Sequence, residues 1–170
     1  MMPNHPERPF TITPATSSED ILAIHNLFVA YTNSLNLDLT FQSLQDELAT
    51  LPGKYGPPTG ILLLARLTSS GEAIGCVALR PLAEGGVCEM KRLYVAPAAQ
   101  GTGLGKALAK AVIAEGRRLG YRAVRLDTLP SMRAARGLYA SLGFRECDRY
   151  YETPLEGTVF MELDLRQIDD

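Results

Sequence analysis

Three strand-like runs follow one another between residues 61 and 97, "ILLLARLT", "AIGCVALRPL" and "VCEMKRLYVAP". Only "SSGE" and "AEGG" separate them, and turn sequences of this kind join antiparallel neighbours. The centre of the chain therefore reads as a meander, and everything else must be arranged around it. Upstream, "FTIT" at 10–13 alternates like a first strand, and a helix is predicted from Ser18. Its apolar positions Ile21, Leu22, Ile24, Leu27, Phe28 and Tyr31 recur at helical spacing, and Ser17 with Asp20 reads as a capping box. A second helical pattern, "FQSLQDELATL", stops at Pro52 and Gly53, and "GKYGPPTG" reads as a loop.

Downstream of the meander the apolar residues recur at helical spacing. Leu104, Leu108, Val112 and Leu119 form one helical stripe that ends at Gly120, a residue suited to a left-handed cap. "AVRLDTL" reads as a strand, "SMRAARGLYASLG" as a helix closing at Gly143, and "TVFMELDL" as a last strand. No repeat, charge block or linker divides the 170 residues. The expectation is one α/β domain over 1–170, with a mixed, mostly antiparallel sheet flanked by helices.

Composition narrows the partners. A formal charge of −2 and a pI near 5.7, with no dense block of Lys or Arg, leave no electrostatic footprint for nucleic acid or an anionic membrane. The longest apolar stretch, "GILLLARL", is far short of a membrane span, and "MMPNHPERPF" has no apolar signal core. A soluble, cytoplasmic protein with a small-molecule or peptide partner is predicted. Cys76, Cys88 and Cys147 form no CxxC and have no neighbouring histidine, so they read as buried free thiols, with no metal site.

Between the third strand of the meander and the next helix lies "QGTGLG", residues 100–105. It is not a Walker A loop, since Gln100 stands where the first Gly is needed and Ala107 follows Lys106. A dinucleotide fingerprint fails as well, because its third Gly would fall on Lys106 or Leu108. The same count argues against a nucleotide-dependent phosphotransferase, which stays a lesser alternative. What remains is a glycine-rich turn opening a helix, where free amide N–H groups and the dipole's positive end make a seat for an anion such as a diphosphate. An ordinary Gly-rich connection has the same spacing.

"MKRLYVAP" before this turn, "QGTGLGKAL" within it and "LYASLGF" beyond it together resemble the GNAT superfamily of N-acetyltransferases over roughly residues 60–165. The resemblance implies acetyl-CoA as acetyl donor and a primary amine of a small molecule or peptide as acceptor. Gln100, Gly103 and Gly105 match the fixed positions of the family's diphosphate turn, with Gly101, Thr102 and Leu104 between them and Lys106 just after. The strand before it would splay from its neighbour and offer the backbone of Leu93, Tyr94 and Val95 to the pantetheine arm, with the Val95 N–H facing the acetyl oxygen. Leu138, Tyr139, Gly143 and Phe144 match the family's helix motif, which makes Tyr139 the acid for the departing thiolate. The family often has Asn seven residues before that tyrosine; here it is Met132, with Ser131 or Thr128 as substitutes.

An ammonium acceptor must lose its proton before it can attack, which calls for a base. Glu89, six residues before Val95, is the candidate; in a partly apolar cleft its pKa would rise. Pairing with an Arg or Lys on the sheet face is the other reading, and Glu47 and Glu152 are reserves. Lys91 and Arg92 fall on opposite faces of an alternating strand, so at most one should face the cleft, where an acidic substrate group would want it. Lys110 reads as solvated helix face. The resemblance implies that the acceptor meets the first two helices with their loop and the hairpin before the last strand, where Tyr55, Tyr150 and Tyr151 are candidates. A non-catalytic acyl-CoA sensor is the alternative function, and a homodimer stays open.

Overall fold

The computed structural model describes residues 8–36 and 43–167. Strand β1 (Phe10–Pro14) leads into helices α1 (Ser18–Leu35) and α2 (Leu44–Thr50). The meander β2 (Ile61–Leu67), β3 (Ala73–Pro81) and β4 (Val87–Val95) comes next, and then α3 (Leu104–Arg118) and β5 (Ala123–Thr128). Helix α4 (Arg133–Ser141) and strands β6 (Arg145–Glu146) and β7 (Val159–Asp164) complete the order.

The sequence signals act locally as expected at most boundaries. Ser17 Oγ accepts the Asp20 N–H at 3.1 Å and caps α1. The Asp20 carboxylate reaches back to the Thr16 N–H at 3.4 Å and also binds Arg66 on β2 at 3.0 Å. Gly120 and Gly143 take left-handed φ values of 87° and 97° after α3 and α4. Phe41 and Gln42 of the second helical pattern lie outside the described residues. The stretch expected as a plain loop contains a 3₁₀ turn, Gly53–Tyr55, which carries Tyr55 into the core. Strand β6 was not anticipated, because two residues show no period.

One seven-stranded sheet has the order β1-β2-β3-β4-β5-β7-β6, in which only β4 and β5 run parallel. Both faces are covered, and the strands sort their residues by parity. Leu63 and Ala65 of β2 and Val77 and Leu79 of β3 pack with Leu104, Leu108 and Val112 of α3. Their alternates Leu62, Leu64, Cys76 and Ala78 pack with Ile24, Leu27 and Phe28 of α1. Cys76 and Cys88 are buried free thiols, whereas Cys147 is half-buried on the segment after β6. Among the described residues no helix is long and apolar enough to cross a membrane.

Candidate active site

Strands β4 and β5 pair only at Val87–Glu89 against Ala123–Arg125. Beyond that point they diverge, since β4 continues to Val95 and β5 to Thr128 without meeting. A narrow cavity of about 50 Å³ fills the wedge, walled by Met90–Leu93 on one side and Leu126–Leu129 on the other. Tyr139 of α4, Met132 and Tyr31 close it. A second cavity, of about 510 Å³, lies under α2 and the 53–55 turn, and Lys91 and Arg92 line both.

That both residues reach the site corrects the expectation of opposite faces. Arg92 has φ 60°, in the left-handed region, and the β3–β4 register slips between Cys76↔Tyr94 and Ala78↔Lys91. This is a β-bulge, with one extra residue on β4. Before it, Cys88 and Met90 face α3; after it, Leu93 and Val95 do, while Tyr94 joins the α1 side. The bulge therefore inverts the parity of the strand and leaves Lys91 and Arg92 on the same side. A non-glycine residue at this φ costs on the order of 1 kcal/mol. The ion pair of Arg92 Nη2 with Glu47 Oε2 at 2.8 Å holds it there.

Glu89 is fully buried. Its Oε1 accepts from Arg80 Nε at 2.8 Å, directly across the ladder, and its Oε2 from the Tyr150 hydroxyl at 2.5 Å. Lys91 Nζ stands 3.6 Å from Glu89 Oε1 and 3.6 Å from Asp127 Oδ1. The partly apolar cleft expected around Glu89 is in fact a cage of cations and a phenol, and Glu89 lines neither cavity. Both oxygens are already bonded, and since a guanidinium keeps its protons, Tyr150 is the bonded partner able to exchange one. Asp127, accepting from the Tyr151 hydroxyl at 2.6 Å, is the carboxylate in the wedge wall. Arg80 and Asp127 went unnoticed in the sequence. Strand parity could have found them, since Val124 and Leu126 face α3 and leave Arg125 and Asp127 on the side of Glu89.

Tyr139 is buried against Phe144, with ring centroids 5.7 Å apart, and burial pushes its hydroxyl above the usual phenol range. Thr128 directs its Oγ1 toward Met132 Sδ at 3.8 Å, and both line the wedge, whereas Ser131 is not in its wall. Tyr55 lines the larger cavity but is a buried core ring, edge-on to Phe28, and its hydroxyl is given to Glu47. Glu47 and Glu152 line that cavity too, as does Tyr151. Tyr150 is not in its wall; with Tyr151 and Phe160 it forms an aromatic cluster, with centroids 5.1–5.5 Å apart, that pins the 147–158 segment onto the sheet.

The turn 100–103 is exposed and held from below, where Thr102 Oγ1 donates to Ala99 O at 2.6 Å. Gly101 and Gly103 have φ 80° and 82°, and a Cβ on either would meet nothing within 4 Å. Gly103 caps α3 with no side-chain bond, so the first amides of a 15-residue helix stay available to an anion. Lys106 shares a groove with Thr102, Gly103 and Lys110 between α3 and β1, away from the wedge. The Ala96 N–H donates to Ile74 O at 2.8 Å, so by alternation those of Leu93 and Val95 point away from β3 toward the wedge. Gly105 differs from Gly103: its φ is ordinary, and a Cβ would touch Val95 Cγ2 at 3.7 Å and Leu138 Cδ2 at 4.0 Å. Gly105→Ala is expected to raise helix stability by about 0.5–1 kcal/mol and leave acetyl-CoA affinity unchanged. Calorimetry and a melting curve check this; a tenfold loss of affinity would mean that the ligand packs on Gly105.

Residues 21–144 match the Acetyltransferase (GNAT) family. An uncharacterized N-acetyltransferase of Schizosaccharomyces pombe is 44% identical over 147 residues, covering 86% of this chain and 90% of that protein. A Klebsiella pneumoniae structure described as an acyl-CoA N-acyltransferase is 34% identical with a TM-score of 0.66, covering 92% of this chain and 97% of that one. An acetyltransferase structure from Salmonella typhimurium with its cofactor acetyl-CoA has a TM-score of 0.64 at 23% identity, covering 92% of this chain and 94% of that one. With the splayed strands and the glycine turn in place, this match over most of its length makes the chain a member of the GNAT family of acetyltransferases.

Proposed function

We propose that the protein transfers an acetyl group from acetyl-CoA to the primary amine of a small molecule or peptide, by direct attack. The observation that carries this is the wedge between β4 and β5, with Tyr139 in its wall and the amide-rich turn at the end of the strand that forms one side. The residues fit acetyl-CoA: the uncapped start of α3 suits a diphosphate, and the narrow wedge suits an extended arm. Acetyl-CoA supplies the activated acetyl thioester.

The amides of the 101–105 turn hold the phosphates. The Val95 N–H donates to the thioester carbonyl oxygen, where charge develops. Tyr139 donates to the sulfur, and its raised pKa keeps it protonated for that purpose. Glu89 serves as the base by relay, through the Tyr150 hydroxyl that its Oε2 already accepts and a water linking Tyr150, which lines neither cavity, to the amine.

The test of the function is free-thiol release from acetyl-CoA against a panel of amines. Saturable acetyl-CoA binding with no thiol release from any amine would overturn transfer and favour a sensor. The relay has its own test, since Glu89→Gln removes the base and Tyr150→Phe removes only the route. Both should lower turnover about tenfold at neutral pH and more at lower pH, where the amine is hardest to deprotonate. Tyr150→Phe at the parental rate across pH would refute the relay.

A further inference from the structure

The charged cluster beside the wedge has more donors than acceptors. Glu47 receives the Tyr55 hydroxyl on one oxygen and Arg92 Nη2 on the other. Glu89 receives Arg80 and Tyr150, and Asp127 receives Tyr151. The cations are less well served. Arg92, with its side chain only 4% exposed, has a buried Nε that meets no acceptor among the described residues. Lys91, at 9% exposure, stands 3.6 Å from two carboxylates, beyond hydrogen-bond distance for an ammonium. Buried donors left without acceptors cost about 1–3 kcal/mol each, so such a site favours a ligand that brings acceptor oxygens.

We infer that the acceptor substrate carries a carboxylate close to its amine, and that Lys91 and Arg92 receive that carboxylate. This deepens the acetyl-transfer reading and rests on it. The spacing follows from the two cavities. Lys91 and Arg92 line both, so a carboxylate held between them leaves the adjacent amine at the wedge and the rest of the molecule in the cavity of about 510 Å³. That volume is in the range of small-molecule sites. An amino acid has this shape; an amine with no acid group leaves the donors unanswered.

The experiment compares free L-amino acids with their carboxamides and with the amines left by removing the carboxyl group, by thiol release from acetyl-CoA. The best amino acid should exceed its carboxamide and its decarboxylated amine about 100-fold in kcat/KM, since a site built to bond a polar group rejects analogues that lack it. Lys91→Gln should raise KM for the amino acid about tenfold, leave KM for acetyl-CoA unchanged and narrow the gap to the carboxamide. Lys91→Arg should restore part of the loss. Carboxamide or decarboxylated amine used as well as the amino acid would overturn the inference while leaving acetyl transfer intact. So would a Lys91→Gln variant that slows amino acid and carboxamide equally. No thiol release with any of the three, where another amine of the panel reacts, would also overturn the inference; no release from any amine would bring down the transfer reading and the inference with it.

Discussion

Tyr139→Phe is expected to lower turnover about 100-fold, with acetyl-CoA affinity and melting temperature near those of the parent. The ring is buried against Phe144, and Phe fills the same volume, so packing is preserved. What is lost is the hydroxyl in the wall of the wedge. Burial holds that phenol above its ordinary pKa, while a thiol titrates near about 8.5. Tyr139 therefore stabilises the leaving sulfur chiefly through a charge-assisted hydrogen bond, which places the effect at the low end for general acid catalysis. The sign of the shift also sets the pH profile. A donor with a raised pKa stays competent as the pH climbs, so Tyr139 should contribute no alkaline fall in rate below about pH 10. Folded Tyr139→Phe protein that binds acetyl-CoA and turns over at the parental rate would return this tyrosine to a packing role.

Gly103→Val is expected to raise the Kd for acetyl-CoA about 100-fold, equivalent to about 2.7 kcal/mol. Two causes contribute, and one variant separates them. At φ 82° any side chain strains the backbone by about 1–2 kcal/mol, and Gly103→Ala shows that part with the least added bulk. The valine methyls add a steric block, because the space beyond a Cβ there is open and is where an anion would approach the amides at the start of α3. The turn is exposed, so the rest of the fold should survive with a modest fall in melting temperature. Unchanged affinity by calorimetry would remove the turn from the cofactor site.

The fold was legible where one signal dominated. Strand-length runs with short turns specified the β2–β4 meander, and the α3 stripe with its glycine stop specified the helix behind it. The site was legible only in part, because its decisive feature breaks the rule by which strands are read. Alternation sends Lys91 and Arg92 to opposite faces, and nothing in "MKRLYV" announces the bulge at Arg92. Burial was also beyond the sequence. Glu89 and Tyr55 were identified as residues, but whether a carboxylate or a phenol faces solvent, ligand or partner depends on chain segments far away. Tyr150, 61 residues from Glu89, and Glu47, 45 residues from Arg92, supply those partners.

The inverted parity at Arg92 separates two kinds of change to this stretch of chain. Exchanging the side chain at 92 removes both a donor from the site and the ion pair with Glu47 that holds the strained backbone, so it disturbs the site and the bulge together. Removing one residue between Glu89 and Gln100 is different in kind. Loss of the extra residue would leave one β4 residue opposite Val77 and a regular ladder, with Leu93 and Val95 still on the α3 face and the glycine turn in register, but with one cation fewer beside the wedge. Deletion at the bulge should therefore leave the fold and acetyl-CoA binding in place and take one donor from the site, whereas Arg92→Ala leaves a strained bulge without its ion pair.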